Sequence, residues 1–360
     1  MDRRKFLAGA AIAAISGGCQ WSNPLEQRDR LKILGLLGAI PSKVISQFEA
    51  NYPQKIEFKA ENLPSKIWQE LQDFSKSEST ASKPPANLPQ LVSIGDAWLD
   101  QAIARSLIQP LTPELLAKMP YWSQLAPRWQ QSVTRNNQVW GIPYRWGATA
   151  IAYRRDKLDF RIQQWSDLWR PELKNKLTLP DDAREVIGLA SKKMGQSYQP
   201  SELSDSLRQE LKSLHSQVLT YSSEHYLQSL LSTDTLAAVG WSSDMYKVKR
   251  QNPDLEVVIP QDGTALWSDV WVIPKGEVAI AVGDWMNFCL TPAIAAQITA
   301  LTDAVSTSSD LTQVPDSVKA NSIKFFAPEV FAKSDLIEPL SPALLTQYQD
   351  LWTKMRSGSL

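Results

Sequence analysis

Cysteine and histidine are nearly missing from this chain, with two of each in 360 residues. Cys289 stands alone in the apolar run DWMNFCL and Cys19 lies in the N-terminal segment, so no disulfide framework is available and Cys289 reads as a small buried hydrophobe. His215 falls in a charged helical stretch and His225 in the polar segment SSEHY. Neither has the paired spacing or cysteine neighbour of a metal site, which leaves both as solvated surface. A Gly-rich phosphate loop, a Walker sequence and a nucleophile elbow are also absent, so nucleotide-driven and triad chemistry have no carrier. No catalytic residue, metal ligand or cofactor is expected. Charge of either sign is not in excess, 38 Lys and Arg standing against 38 Asp and Glu. That balance argues against nucleic acid or an anionic surface as partner. Beyond the first residues, no run approaches the ~20 apolar residues needed to cross a bilayer.

What the N-terminus does contain is MDRRKFLAGAAIAAISGGC: a basic start, a modest apolar stretch, then small residues. This is the layout of an export signal over residues 1–19. Arg3-Arg4-x-Phe6-Leu7 resembles a twin-arginine signal, and Ser16-Gly17-Gly18-Cys19 resembles a lipoprotein cleavage site that would leave an acylated Cys19 as the new N-terminus. Ordinary signal cleavage nearby is the alternative. Loss of Asp2, Arg3, Arg4 and Lys5 shifts the net charge from zero to about minus two. Residues 20–30 read as a polar linker, and the rest is long enough for a core split between two lobes.

Short apolar strands alternate with helical stretches along the body. Leu31 to Gly38 reads as a strand, Ile40 to Asn51 as a helix burying Val44, Ile45 and Phe48, Ile56 to Ala60 and Leu91 to Ile94 as strands, and Trp98 to Leu107 as a helix. Such alternation implies an α/β fold with a mostly parallel sheet. Ser75 to Pro89, rich in Ser and Pro, reads as an exposed loop. The same alternation resumes after Gly141, with a helix around Leu203 to Leu214, which points to a second α/β lobe.

Trp267 and Asp269 stand two apart in the strand-like run LWSDVWVIP, so both project from one face. An indole beside a carboxylate suits an organic cation, through cation–π attraction and a charge-assisted hydrogen bond; a core indole beside a turn-capping carboxylate is the alternative. Fourteen tryptophans supply rings for such a site. Trp165, Trp169, Trp285 and Trp352 keep helical spacing with other apolar residues and belong to the core.

Four segments, in this order and spacing, resemble the polyamine-binding (spermidine/putrescine) subfamily of periplasmic solute-binding proteins that serve ABC importers. They are Ile142-Pro143-Tyr144-x-Trp146-Gly147-Ala148-Thr149, Leu179 to Gly188 with Asp182-Ala183-Arg184-Glu185, Trp241-Ser242-x-Asp244, and Trp267-Ser268-Asp269 with Ile273-Pro274-Lys275. The resemblance implies a two-lobed type II periplasmic-binding-protein fold with the ligand in the interlobe cleft. Lobe 1 is expected over 31–150 and 271–303, and lobe 2 over 151–270 and 304–360. It also implies a polyamine ligand, no enzymatic activity, an inner-membrane permease as partner, a monomer, and a periplasmic receptor held to the membrane by lipid at Cys19. Another small organic cation or a neutral solute in the same fold is one alternative; an exported cofactor-binding or assembly protein is another.

By the same resemblance, Asp182, Glu185 and Asp269 would meet ammonium groups, and Trp267 and Trp241 would stack on the methylenes. The Asp182-x-x-Glu185 spacing is also that of a helix capping box, and core burial is the alternative for Trp241. Trp146 and Thr149 are expected as cleft walls, or else as hinge packing. Asp96 lies where this fold puts ligand-facing loops, with a helix N-cap as its alternative. Two family features are missing: an aromatic pair after the first strand, where Leu36-Leu37-Gly38-Ala39-Ile40 has no ring, and a Tyr before Val314-Pro315-Asp316. The first-lobe aromatic side is therefore expected to be thin.

Overall fold

The structure, a computed structural model, describes residues 30–80, 88–276, 278–279 and 281–360. The export signal, Cys19 and the linker before Arg30 lie outside the described residues.

Ten strands set the frame: β1 Arg30–Leu36, β2 Lys55–Glu61, β3 Leu91–Gly95, β4 Ile142–Arg154, β5 Leu177–Leu179, β6 Val218–Tyr221, β7 Ala237–Trp241, β8 Leu255–Val258, β9 Ala265–Pro274 and β10 Val305–Ser306. The spine of the sheet runs β2-β1-β3-β9-β4-β7-β5-β6. At one end β1 pairs in parallel with β2 and β3, and at the other β5 pairs in parallel with β6 and β7. These parallel groups require crossovers, and the alternating apolar segments provide them as helices.

Two long strands join the halves. The first part of β4, Ile142 to Ala148, lies antiparallel to β9, while Thr149 to Tyr153 turns to β7. β9 in turn pairs with β3 over Asp269 to Val272. Eleven of the thirteen β4 residues are apolar, glycine, proline or threonine, the exceptions being Arg145 and the terminal Arg154; all but Trp146 and Arg154 are buried, as expected of a strand covered on both faces.

Helices cover both faces of each half: α1 Ser42–Asn51, α2 Pro64–Thr80, α3 Ala183–Lys193, α4 Asp205–His215, α5 Ala281–Leu290, α6 Pro292–Leu301 and α7 Pro342–Arg356. In the first half, Phe48 of α1 and Trp285 of α5 meet edge to face, their ring centroids 5.1 Å apart, against Leu31, Ile33 and Trp271 of the sheet. On the other face Ile67, Trp68 and Leu71 of α2 cover Leu34, Val92 and Val270. In the second half, Val186, Leu207 and Leu211 pack on Ile151, Leu177 and Val239 around Trp165, while Ala148, Ala150 and Ala152 leave room for Tyr226 and Met245 opposite. Trp165, Trp285 and Cys289 are fully buried, and Trp169 and Trp352 pack at the edge of the second-half core. His225 is exposed, and His215 is partly buried with its Nδ1 2.8 Å from the Tyr221 hydroxyl.

One expectation changes here. α2 continues to Thr80, so Ser75 to Thr80 is helical rather than loop, while residues 81–87 of the expected loop lie outside the described residues. Ser, Lys and Glu carry no helix breaker, and the first prolines come at Pro84 and Pro85.

Candidate functional site

β-Strand alternation puts Arg145, Gly147 and Thr149 on one face of β4, and β9 brings Trp267 opposite Gly147 and Asp269 opposite Arg145. The Trp267 ring lies against Gly147 so closely that a Cβ there would come 2.3 Å from its Cζ2. Only glycine admits the indole at this depth. Trp267 Nε1 is buried without a hydrogen-bond partner among the described residues.

Asp269 is not free. Arg145 Nε donates to Asp269 Oδ2 at 2.5 Å, with the side chains 6% and 16% exposed. Burial works against the guanidinium charge, yet the Asp269 carboxylate holds Arg145 above its ordinary value. The expected open carboxylate is thus already paired, by a residue 124 positions away that enters the family-like motif at its variable position. A bulge in the β9 register follows Asp269, a device that re-aims side chains beside binding sites.

Trp146 points to the other face. Its ring packs with Trp129, Phe326 and Phe331 at centroid distances of 5.7, 5.9 and 5.3 Å, which corrects the expectation of a cleft wall in favour of packing at the junction of the halves. Alternation along β4 forces the result, because Arg145 and Gly147 take the cleft side.

Thr149 faces the cleft and holds Glu185. Its Oγ1 lies 3.1 Å from Glu185 Oε2, and the Tyr198 hydroxyl donates to the same oxygen at 2.8 Å. Tyr198 reaches this point by packing on Gly188, where a Cβ would sit 2.2 Å from its ring. Burial first, and the Asp182 charge second, push the Glu185 carboxyl up to about 7 against those hydrogen bonds. Asp182 caps α3, accepting from the backbone N–H of Arg184 and Glu185 at 2.8 and 3.1 Å. The capping box is therefore half used: Asp182 caps, and Glu185 turns inward.

Asp96 follows β3 and opens a 3₁₀ turn whose N-cap is Gly95. Its carboxylate reaches across to β9, where the N–H and Oγ–H of Ser268 donate to Oδ2 at 2.9 and 3.1 Å. This contact replaces the N-cap alternative. Burial pushes the Asp96 carboxyl up to about 7.

Trp241 ends β7 partly exposed, its ring edge-on to Tyr226 at 6.0 Å. The Tyr226 hydroxyl donates to Asp244 Oδ2 at 3.0 Å, and burial pushes the Asp244 carboxyl up. Asp244 stands in the Trp241-Ser242-x-Asp244 motif, whose spacing alone does not mark it as a site residue.

Rings on the first-half side come from an unexpected source. Trp68 of α2 and Trp98 stack with centroids 4.6 Å apart, and with Leu36, Gly95 and Asp269 they line a small apolar recess. The loop after β1 supplies none, as its sequence requires, so the aromatic wall is displaced to Trp68 and Trp98. Beyond it, Ala97, Asp100 and Gln101 face Asp182, Arg184, Glu185, Leu340 and Tyr348 across a cavity of about 360 Å³. Arg184 Nη2 donates to the Glu338 carbonyl. Among the described residues no group of His, Cys, Asp and Glu has a metal-holding arrangement, and no helix is long and apolar enough to cross a membrane.

Relatives share this architecture. A spermidine/putrescine-binding periplasmic protein of Salmonella typhimurium is 31% identical over 209 residues, which cover 56% of this chain and 58% of that protein; the match thus spans less than two thirds of the relative's length. A putrescine-binding periplasmic protein of Escherichia coli is 22% identical over 292 residues, covering 74% and 78%. In structure, the substrate-binding protein of a spermidine/putrescine ABC transporter from Streptococcus pneumoniae superposes with a TM-score of 0.75 at 19% identity, over 92% of this chain and all of that one. A Treponema pallidum lipoprotein gives 0.69 at 18% identity. The fold is therefore the two-lobed binding-protein fold. Residues 86–325, more than half of the chain, match the sequence pattern of one family, and the chain belongs to it: the bacterial extracellular solute-binding proteins.

Proposed function

We propose that this protein is the receptor of an ABC importer and captures a polyamine, putrescine or spermidine, between its lobes. The observation that carries the reading is Glu185: a desolvated carboxylate held by two hydroxyls, Tyr198 and Thr149, with no ion pair to a cation among the described residues, Arg184 acting on it only at longer range, and a cavity in front of it. An ammonium group is the ligand part that supplies the missing countercharge. Trp267 and Trp241 offer ring faces for the methylenes and the charge, and Asp96 and Asp182 add negative potential. The names of the relatives agree with an amine ligand.

The lobes are taken as 31–150 with 271–303, and 151–270 with 304–360, hinged along β4 and β9; segregation of the apolar clusters supports this division, although β10 still pairs with Arg145 and Trp146. The working unit is a monomer that delivers its ligand to an inner-membrane permease without chemical change. Thermal melting of the mature chain tests the ligand class. Putrescine or spermidine at about 100 times its Kd should raise Tm by about 4 °C or more, with glutamate and sulfate inert; amines without effect would remove the reading.

Export through the twin-arginine-like signal and acylation at Cys19 would tether the receptor in the periplasm. Cys19→Ser should move the protein from the detergent phase to the aqueous phase after cell fractionation, and unchanged partition would exclude a lipid anchor at that residue.

A further inference from the structure

The cation expected to meet Asp269 is already built into the protein. Arg145 lies 2.5 Å from it and also attracts Asp244, whose carboxyl burial pushes up and whose partners, Tyr226 and then Arg145, pull back. Two carboxylates on this side thus share one fixed guanidinium. Asp96 has no such partner: the donors to its carboxylate are the Ser268 N–H and Oγ–H, both on Oδ2, and the Ala97 N–H. A second cation brought to Asp269 would sit against Arg145, whereas one brought to Asp96 would meet a carboxylate that, among the described residues, has no cation in contact and only the Arg184 guanidinium acting on it from across the cavity.

The surroundings of Asp96 suit such a group. Trp98, two residues on, stacks on Trp68 and lines the apolar recess beside Gly95 and Asp269. Ala97 lines the larger cavity whose opposite wall carries Glu185. Asp96 thus sits between residues that line the recess and one that lines the larger cavity, with Glu185 on that cavity's far wall; among the described residues neither carboxylate is in contact with a protein cation.

We propose that Asp96, beside Trp98, holds the first-lobe ammonium group of the ligand, and that Arg145 sets this arrangement by withdrawing Asp269 from the role. The proposal rests on the amine reading above. It assigns Arg145 as a specificity-determining residue: a receptor with an apolar residue there would offer Asp269 instead.

Calorimetric titration with putrescine and with spermidine tests it. Wild type binds at least one of them; Asp96→Asn, which keeps an acceptor for Ser268, should weaken that binding by about 30-fold or more. The double variant Arg145→Met/Asp269→Asn, which removes the ion pair as a neutral unit, should stay within about 5-fold of wild type. Arg145→Met added to Asp96→Asn should restore about 10-fold, because it frees Asp269. Urea midpoints identify any variant that loses affinity by unfolding, and the rescue arm then decides, since a misfolded protein is not rescued by a second substitution at a buried charge. Wild-type affinity in Asp96→Asn, equal losses in Asp96→Asn and the double variant, or absence of rescue overturns the proposal while leaving the amine reading intact. Failure of wild type to bind either amine overturns both.

Discussion

Glu185 shows how much one side chain's surroundings decide. Water has been replaced around its carboxylate by the Tyr198 and Thr149 hydroxyls, with Asp182 and Arg184 as the nearest charges on its own helix. Its carboxyl lies at about 7, as does that of Asp96, which faces Ser268 and Asp269. Unfolded carboxyls titrate near 4. Because the folded values are raised, the native state binds more protons than the unfolded chain between about pH 4 and 7, so ligand-free stability falls as pH rises through that window and the full penalty is present above it. An ammonium ligand needs the ionised form and reverses this penalty. Affinity for putrescine or spermidine should therefore drop on the order of 10-fold per carboxylate between pH 8 and pH 6, while the ligand-free protein melts higher at pH 5.5 than at pH 8. Titrations across that range check the first, melting curves the second. An affinity flat over pH 6 to 8 would show that neither carboxylate meets the ligand's charge.

At the scale of elements, strands were legible in the sequence because each is a short apolar run between turn residues, and Leu91 to Ile94 or Ile56 to Ala60 fall within a residue of the observed β3 and β2. Pairing was not legible. Arg145 and Asp269 meet only because β4 and β9 lie antiparallel in one register, and a one-residue slip would have put Trp146 opposite Asp269. The W-x-D pair could be placed on one face by alternation, but its neutralisation depended on a strand far away in the chain. Trp146 takes its hinge-packing alternative for a related reason: alternation within β4, combined with Gly147 beneath Trp267, puts it on the opposite face. The Asp182-x-x-Glu185 spacing allows cap or ligand site alike, and in the structure Asp182 caps the helix while Glu185 turns inward to Thr149 and Tyr198. Rings at Trp68 and Trp98 are not legible as a wall in the sequence, because they stand on other elements than the loop after β1 and composition gives no direction. Order and spacing of motifs carried the fold; side-chain charge compensation required coordinates.

For the whole molecule, ligand capture depends on the balance between open and closed lobes, and a hydrogen bond at the cleft rim joins the two halves away from the long strands. The backbone N–H of Ser65, at the start of α2 beside the apolar recess, donates to Glu224 Oε1 at 3.3 Å. Glu224 lies in the loop after β6, whose neighbour Ser223 accepts from the Asp181 N–H at 3.0 Å, so the contact joins a first-half helix to the rim of the second-half cavity. It forms only when the halves are close and therefore stabilises the closed state selectively, which makes it a latch by population shift rather than a ligand contact. A partly exposed hydrogen bond to a carboxylate contributes about 1 kcal/mol, and that amount shifts an open–closed ratio about 5-fold. Glu224→Ala should then speed amine dissociation about 5-fold with association nearly unchanged, since encounter uses the open form. Stopped-flow mixing, with tryptophan emission from the cleft rings as signal, measures both rates. Loss in the association rate alone would mean that Glu224 steers the cation by its charge and does not hold the lobes together.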